Sequence, residues 1–309
     1  MNWHHTLQDY LALRRGLGYK LHSEGTALES FASFMEQQHQ DAISTELALA
    51  WATRPASVQP ARWARRLSMV RGFARYCRAL DSRSEIPPCE LLPLQYSRPT
   101  PYFFTDDDIV HLLQATLELT LKDRFLNQTL HCLFGLLSVS GLRVGEALNL
   151  TVDDVDLDIG VLTIHGAKFG KSRLIPLHQT TVWVLAAYKE TRQKALAGRP
   201  LPFWFVSRQR GQLGYDCARY HFNHLMTSII STRATQQRRP HMHDLRHRFA
   251  LSTLVMWYHD GHDVERCLPI LSAYLGHVET RDTYWYLSAC PALMQGARDR
   301  LEHHWEQTS

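Results

Sequence analysis

The chain has 309 residues, 45% of them hydrophobic and 21% charged, which suits one large or two ordinary globular domains and excludes a disordered or fibrous chain. Formal net charge is only +4, with 34 Lys and Arg against 30 Asp and Glu, so bulk charge neither requires nor forbids a nucleic-acid partner. Six scattered cysteines without a CxxC pair predict reduced thiols and a cytoplasmic protein. The start, MNWHHTLQDY, has no signal pattern, and the most apolar run, Leu130 to Leu142, is too short to span a bilayer, so no membrane partner is expected.

In chain order, Leu7, Tyr10 and Leu11, and then Leu28, Phe31, Phe34 and Met35, recur at helical spacing, with Gly16, Gly18 and Gly25 punctuating the gap between them. A third helix is predicted through Leu47, Ala50 and Trp51. The fourth carries charge. From Arg54 to Leu80 there are seven arginines (54, 62, 65, 66, 71, 75 and 78) and no Asp or Glu, while Trp63, Leu67, Val70, Phe73, Ala74 and Cys77 form an apolar stripe. Such a helix packs on its domain and presents arginines to phosphates; the plainer alternative is a solvated basic face. Asp81 to Pro101, with Pro87, Pro88, Pro93, Pro99 and Pro101, cannot be a continuous helix and reads as a domain end and linker.

A new helix is expected at Thr105, an N-cap followed by Asp106, Asp107 and Asp108, and a buried helix over Leu126 to Leu137. Val152 to Leu157, Gly160 to Ile164 and Arg173 to Leu177 predict a small antiparallel sheet. Beyond Thr180 the pattern is helical apart from loops near Gly198 to Pro202 and Gln209 to Gly214. The fold class is therefore mainly α with a small antiparallel β-sheet, in two domains.

Four segments carry the chemistry: SGLRVGEALNL (Ser140 to Leu150), AKFGKSRLIPLH (Ala167 to His178), HMHDLRHRFA (His241 to Ala250) and LGHVETRDTYWYL (Leu275 to Leu287). Singly each is weak. Together they meet the needs of breaking a phosphodiester without metal: a nucleophile in line with phosphorus, cationic donors on the non-bridging oxygens, and an acid for the leaving 5′ oxygen. Arg143 and Arg246 suit the oxygen clamp, because a guanidinium fork matches phosphate oxygens. Tyr286 suits the nucleophile and Lys168 the general acid on a hairpin. His243 and His277 can donate to the phosphate or take the tyrosine proton. The histidines at 241, 243 and 247, and His303 with His304, have no accompanying Cys or carboxylate cluster, so no metal is expected.

These segments resemble the tyrosine recombinase (phage integrase) family, in its Xer-like two-domain form, over about two-thirds of the chain from Thr105 onward. The family pattern is Arg, Lys, His-x-x-Arg, His or Trp, Tyr. Arg143 matches its first arginine, Lys168 its hairpin lysine, His243 and Arg246 its HxxR, and His277 its L-G-H histidine. Tyr284 and Tyr286 both follow His277; the family's tyrosine usually stands nine residues after that histidine, at 286, which leaves Tyr284 as a packed aromatic. Lys171 and Arg173 on the hairpin and Arg239 before HxxR fall to the DNA backbone, with Arg62, Arg65, Arg66, Arg71 and Arg75. Glu146 fits the family's acidic position and would orient Arg143. His247 is either a supporting residue behind the site or a satisfied helix histidine.

The resemblance implies a helical core-binding (SAM-like) domain at 1–92, a linker at 93–104 and a catalytic domain at 105–309, closing as a clamp on double-stranded DNA. It implies a 3′-phosphotyrosine intermediate, no nucleotide cofactor, a homotetramer on synapsed sites, and sometimes a second recombinase. A mobile element, with DNA integration or transposition, is one expected setting; integration, excision and dimer resolution all remain open as the task. After Pro291, the stripe Leu293, Met294, Ala297 and Leu301 would dock on a neighbouring protomer. The alternatives are a DNA-binding protein that has lost catalysis and a type IB topoisomerase-like enzyme.

Overall fold

The computed structural model describes residues 2–93, 100–120, 123–165, 172–207, 211–230 and 238–289. It divides into two compact units, Met1–Pro99 and Thr100–Ser309. Among the described residues no helix is long and apolar enough to cross a membrane.

The first unit is four helices: α1 (Trp3–Gly16), α2 (His22–Gln37), α3 (Thr45–Thr53) and α4 (Pro60–Leu80). Asn2 caps α1 and Ser44 caps α3, each accepting from a first-turn amide that would otherwise lack a partner, and Pro60 opens α4 where its missing N–H costs nothing. Trp3, Leu7, Phe31, Trp51, Val70 and Phe73 are buried at its centre. Gly25 is not a gap residue: it lies inside α2, buried against α1, where an added Cβ would stand 3.4 Å from Arg15 and 3.6 Å from Leu11. The helix needs that small residue for its close approach.

The arginines of α4 separate into two groups. Arg66 lies over the Trp51 ring at 3.6 Å and donates to the Trp51 carbonyl, and Arg71 donates to the carbonyls of Pro87 and Pro88, both at 2.7 Å. Arg62, Arg65, Arg75 and Arg78 are exposed.

In the second unit Thr105 and Asp108 form a reciprocal capping box that starts α5 (Asp106–Glu118). The apolar helix α6 (Arg124–Ser140) is the spine of the core, with Leu130, Leu133, Phe134 and Leu137 buried, and it ends on Gly141 in a left-handed conformation. The short α7 (Val144–Leu148) follows. The antiparallel sheet β1 (Val155–Asp156), β2 (Val161–Ile164) and β3 (Arg173–Pro176) has β2 in the middle. β1 is shorter than the expected 152–157 because Asp154 accepts from the Thr151 amide at 2.7 Å and closes a turn there.

After α8 (Gln179–Leu196) comes a second hairpin, β4 (Val206–Ser207) with β5 (Gly211–Gln212), in a stretch expected to be helix and loop. Two-residue strands carry too little alternation to be read from a pattern. The helices α9 (Tyr215–Ile230), α10 (Met242–His259), α11 (Val264–Leu275) and α12 (Arg281–Ala289) complete the unit. Leu254, Leu268, Leu271 and Leu275 gather α10 and α11 around the α12 residue Tyr286 in a core of their own.

Candidate active site

The site is assembled at helix ends. His243, Arg246 and His247 fall at i, i+3 and i+4 in the first turns of α10, so they share one face. That α10 starts at Met242 follows from a capping box in which Asp244 accepts from the His241 amide at 2.7 Å. Arg246 points inward and is 2% exposed. Its Nη1 donates to the Gly141 carbonyl at 2.7 Å and its Nη2 to the Leu275 carbonyl at 2.6 Å. Burial, and then the neighbouring Arg143, push its pKa down to about 10.

Arg143 is the N-cap of α7. Its Nη1 donates to Glu146 Oε1 at 2.8 Å and its Nη2 to the Gly276 carbonyl at 2.7 Å, while its amide donates to Glu146 Oε2 at 3.0 Å. Glu146 also accepts from Arg173, Nη1 at 3.1 Å and Nη2 at 2.7 Å. Burial alone would raise the Glu146 carboxyl, but the bonds from Arg173 and Arg143 outweigh it and hold it down at about 2. Arg173 Nε donates to the Tyr274 carbonyl at 2.8 Å.

One feature joins these contacts. The last carbonyls of α11 and its cap, Tyr274, Leu275 and Gly276, each accept from a different arginine: Arg173, Arg246 and Arg143 respectively. Terminal carbonyls of a helix lack intrahelical partners and sit at the negative end of its dipole, so they suit guanidinium groups. Gly276 is left-handed (φ 67°), and a Cβ there would stand 2.8 Å from Arg173 Nη1. A side chain at 276 would therefore have to adopt a strained backbone and displace the Arg173 guanidinium from its contacts. Three guanidinium groups against one carboxylate leave the cluster with two positive charges, a setting for a phosphodiester anion.

Tyr286 comes in from α12 with 1% exposure, and its hydroxyl lies 3.0 Å from His247 Nδ1. The His277 ring is stacked parallel to the Tyr286 ring at 6.4 Å, and its Nδ1 is 2.7 Å from Thr283 Oγ1. His243 is exposed and meets the His247 ring edge-on at 4.7 Å. Tyr284, expected as a packed aromatic, is instead 48% exposed, because its position on α12 falls outside the core that buries Tyr286.

Arg143, Glu146, Arg246, His243, His247, His277 and Tyr286 are thus brought together. Lys168 and Lys171 lie outside the described residues. Arg173, expected on the DNA backbone, is turned inward instead: its side chain is 12% exposed and its donors go to Glu146 and Tyr274. Arg239 is exposed just ahead of α10, and its neighbour Arg238 donates to the Thr100 carbonyl at 2.8 Å. Arg66 and Arg71 are likewise committed to contacts within the first unit, whereas Arg62 and Arg75 are exposed, and Arg65, also exposed, lies 3.8 Å from Glu24. The α11 carbonyls were missed by sequence reasoning, because a main-chain contact leaves no residue type to recognise. The glycines in S-G-L-R and L-G-H were the available signal, since each marks a helix C-terminus.

The model of the phage integrase family matches residues 102–291. The chain belongs to this family, the tyrosine recombinases. Consistent with that membership, it is 49% identical over 304 residues to y4rB of Sinorhizobium fredii, described as an integrase/recombinase, covering 97% of each chain. It is 30% identical over 246 residues to the tyrosine recombinase XerD of Pseudomonas aeruginosa, covering 78% of this recombinase and 74% of that one. In fold it is similar to the Tn1549 transposon integrase in complex with transposon right end DNA (TM-score 0.63, 15% identity, 96% and 98% covered). It is also similar to the XerH recombinase bound to its difH substrate in a post-cleavage complex (TM-score 0.63, 14% identity, 90% and 78% covered).

Proposed function

We propose that this recombinase cleaves and rejoins duplex DNA at a specific site through a 3′-phosphotyrosine on Tyr286, with neither metal nor nucleotide taking part. The observation that carries this reading is the convergence of Arg143, Arg246, His243 and His277 on the surroundings of Tyr286, held by main-chain carbonyls and by Glu146. Arg143 and Arg246 hold the non-bridging oxygens, and their charge counters what builds up on phosphorus substituents as the phenol attacks. His243 and His277 supply further donors. Lys168 serves as the acid for the departing 5′ oxygen. Bond energy stays in the phosphotyrosine, so a 5′-hydroxyl from a partner duplex can reverse the step and exchange strands.

Residues 1–92 act as a core-binding domain and 105–309 as the catalytic domain, with 93–104 between them. Arg62, Arg65 and Arg75 of α4, with Lys171 and Arg239, contact the DNA backbone. Four copies assemble on two synapsed sites, alone or with a second recombinase, in the cytoplasm. A mobile element is the setting that the S. fredii integrase/recombinase and the transposon integrase suggest.

A suicide duplex, nicked so that cleavage is trapped, tests the chemistry. In EDTA, wild type and Tyr284→Phe are expected to give a covalent band on a denaturing gel and Tyr286→Phe none, with DNA binding intact in all three. An adduct from Tyr286→Phe would transfer the nucleophile elsewhere.

A further inference from the structure

The family pattern assigns no chemical task to His247, and sequence reading leaves it a supporting or satisfied histidine. The geometry points to more: we propose that His247 is the group that takes the Tyr286 proton during strand cleavage. The inference rests on the reading of Tyr286 as nucleophile.

Three observations carry it. First, His247 Nδ1 is 3.0 Å from the Tyr286 hydroxyl, within reach for direct proton transfer. Second, the two other histidines of the site are placed for different work. The His277 ring lies nearly parallel to the Tyr286 ring with centroids 6.4 Å apart and engages Thr283 through Nδ1, and His243 stands exposed at the edge of the His247 ring. Third, His247 is held in a rigid setting. It lies in the second turn of α10, is 9% exposed, and packs against Trp285, Tyr286 and His243. A buried imidazole fixed by ring contacts on three sides keeps its Nδ1 aimed at one oxygen.

The step balances without further reactants. Neutral His247 carries its proton on Nε2 and offers the Nδ1 lone pair. The Tyr286 oxygen forms its bond to phosphorus as the phenol proton passes to Nδ1, and the bond from phosphorus to the 5′ oxygen breaks, that oxygen taking a proton from the general acid. In rejoining, the 5′-hydroxyl attacks and returns its proton to the acid's conjugate base. The His247 imidazolium gives its proton back to the departing tyrosine oxygen. Arg143 and Arg246 hold the phosphate oxygens throughout and exchange no protons.

The test compares wild type, His247→Asn and His247→Gln on two suicide duplexes, one ordinary and one with a 5′-bridging sulfur at the scissile position. A thiolate leaves without an acid, so the sulfur duplex rescues loss of leaving-group protonation and not loss of the base. Asn keeps a hydrogen-bonding oxygen near the Nδ1 position but cannot take the proton, and Gln serves if Asn unfolds; folding is followed by thermal transition and by affinity for the same duplex. The expected result is covalent-complex formation slowed by about 100-fold on both duplexes, with binding within about twofold of wild type. A variant rate within about threefold of wild type, or restoration by the sulfur duplex, would overturn the proposal. Failure of wild type itself to form an adduct would instead overturn the reading of Tyr286.

Discussion

Glu146 is the residue on which the arginine cluster turns. It is the carboxylate that meets both Arg143 and Arg173, and its pKa is held at about 2 against an ordinary 4.5. A folded value below the ordinary one means that the ionised carboxylate favours the folded state at every pH above about 4.5, and that this help fades as pH falls towards 2. The shift corresponds to about 3 kcal/mol. Glu146→Gln is therefore expected to lower stability at neutral pH by about that amount and to flatten the loss of stability between pH 4.5 and 2, as read by urea denaturation at each pH. An unchanged acid slope would mean that Glu146 is not the linked group. Cleavage should fall as well, by about 10-fold or more, because Arg143 loses one of its two anchors. At this scale the sequence is legible where a recognisable side chain stands in each segment that the fold brings together. Arg143, Arg246, His243, His277 and Tyr286 stand in words that a phosphoryl-transfer site needs. Arg173 was read by its charge alone and placed on DNA, whereas burial and two carboxylate bonds give it an internal task.

The end of α11 can be examined as an element through its glycine. Gly276→Ala must adopt a left-handed backbone and also press on Arg173, whose Nη1 would be 2.8 Å from the new Cβ. Gly261 is a matched control: it is left-handed too (φ 78°), with nothing within 4 Å of an added Cβ. Both variants should lose about 1 kcal/mol for the backbone. Gly276→Ala alone should lose further stability and slow adduct formation, as measured by denaturation and on the suicide duplex; equal behaviour of the two would remove the cradle's steric argument. Helix α4 makes a second comparison. Arg62→Ala, Arg65→Ala and Arg75→Ala should each weaken DNA binding and reduce the slope of log affinity against log salt by about 1, with little change in thermal stability. Arg66→Ala and Arg71→Ala should chiefly destabilise, because one arginine covers Trp51 and the other ties down the carbonyls of Pro87 and Pro88. The stripe that buries α4 was legible from its spacing. Which arginines remained outside was not, since that depends on a tryptophan and two prolines distant in the sequence.

At the scale of the whole molecule, the chain has a core around Phe31, Trp51 and Phe73 in its first unit and others around α6 and α10 in its second. Separate compact units should unfold as separate cooperative blocks. Calorimetry of the full chain is expected to resolve two transitions. Phe73→Ala, which removes a buried ring packed on Trp3 and Tyr10, should lower one of them, and Leu133→Ala in α6 the other. A single transition lowered by both variants would mean that the units melt together. The mainly helical fold with its small sheet followed from periodicity and from caps such as Thr105. The β4–β5 hairpin did not, because its strands are each two residues long and depend on tertiary neighbours. The cradle at the end of α11 also bears on how such a recombinase can change over generations. Its grip on three arginines comes from peptide carbonyls, which every amino acid supplies. The grip therefore asks nothing of the side chains at 274 and 275, which answer to packing instead: Leu275 is wholly buried in the core around Tyr286 and Tyr274 stacks on Phe249, whereas a side chain at 276 would press on Arg173. A core substitution that leaves the end of α11 in place would keep the arginine contacts, because the backbone supplies them.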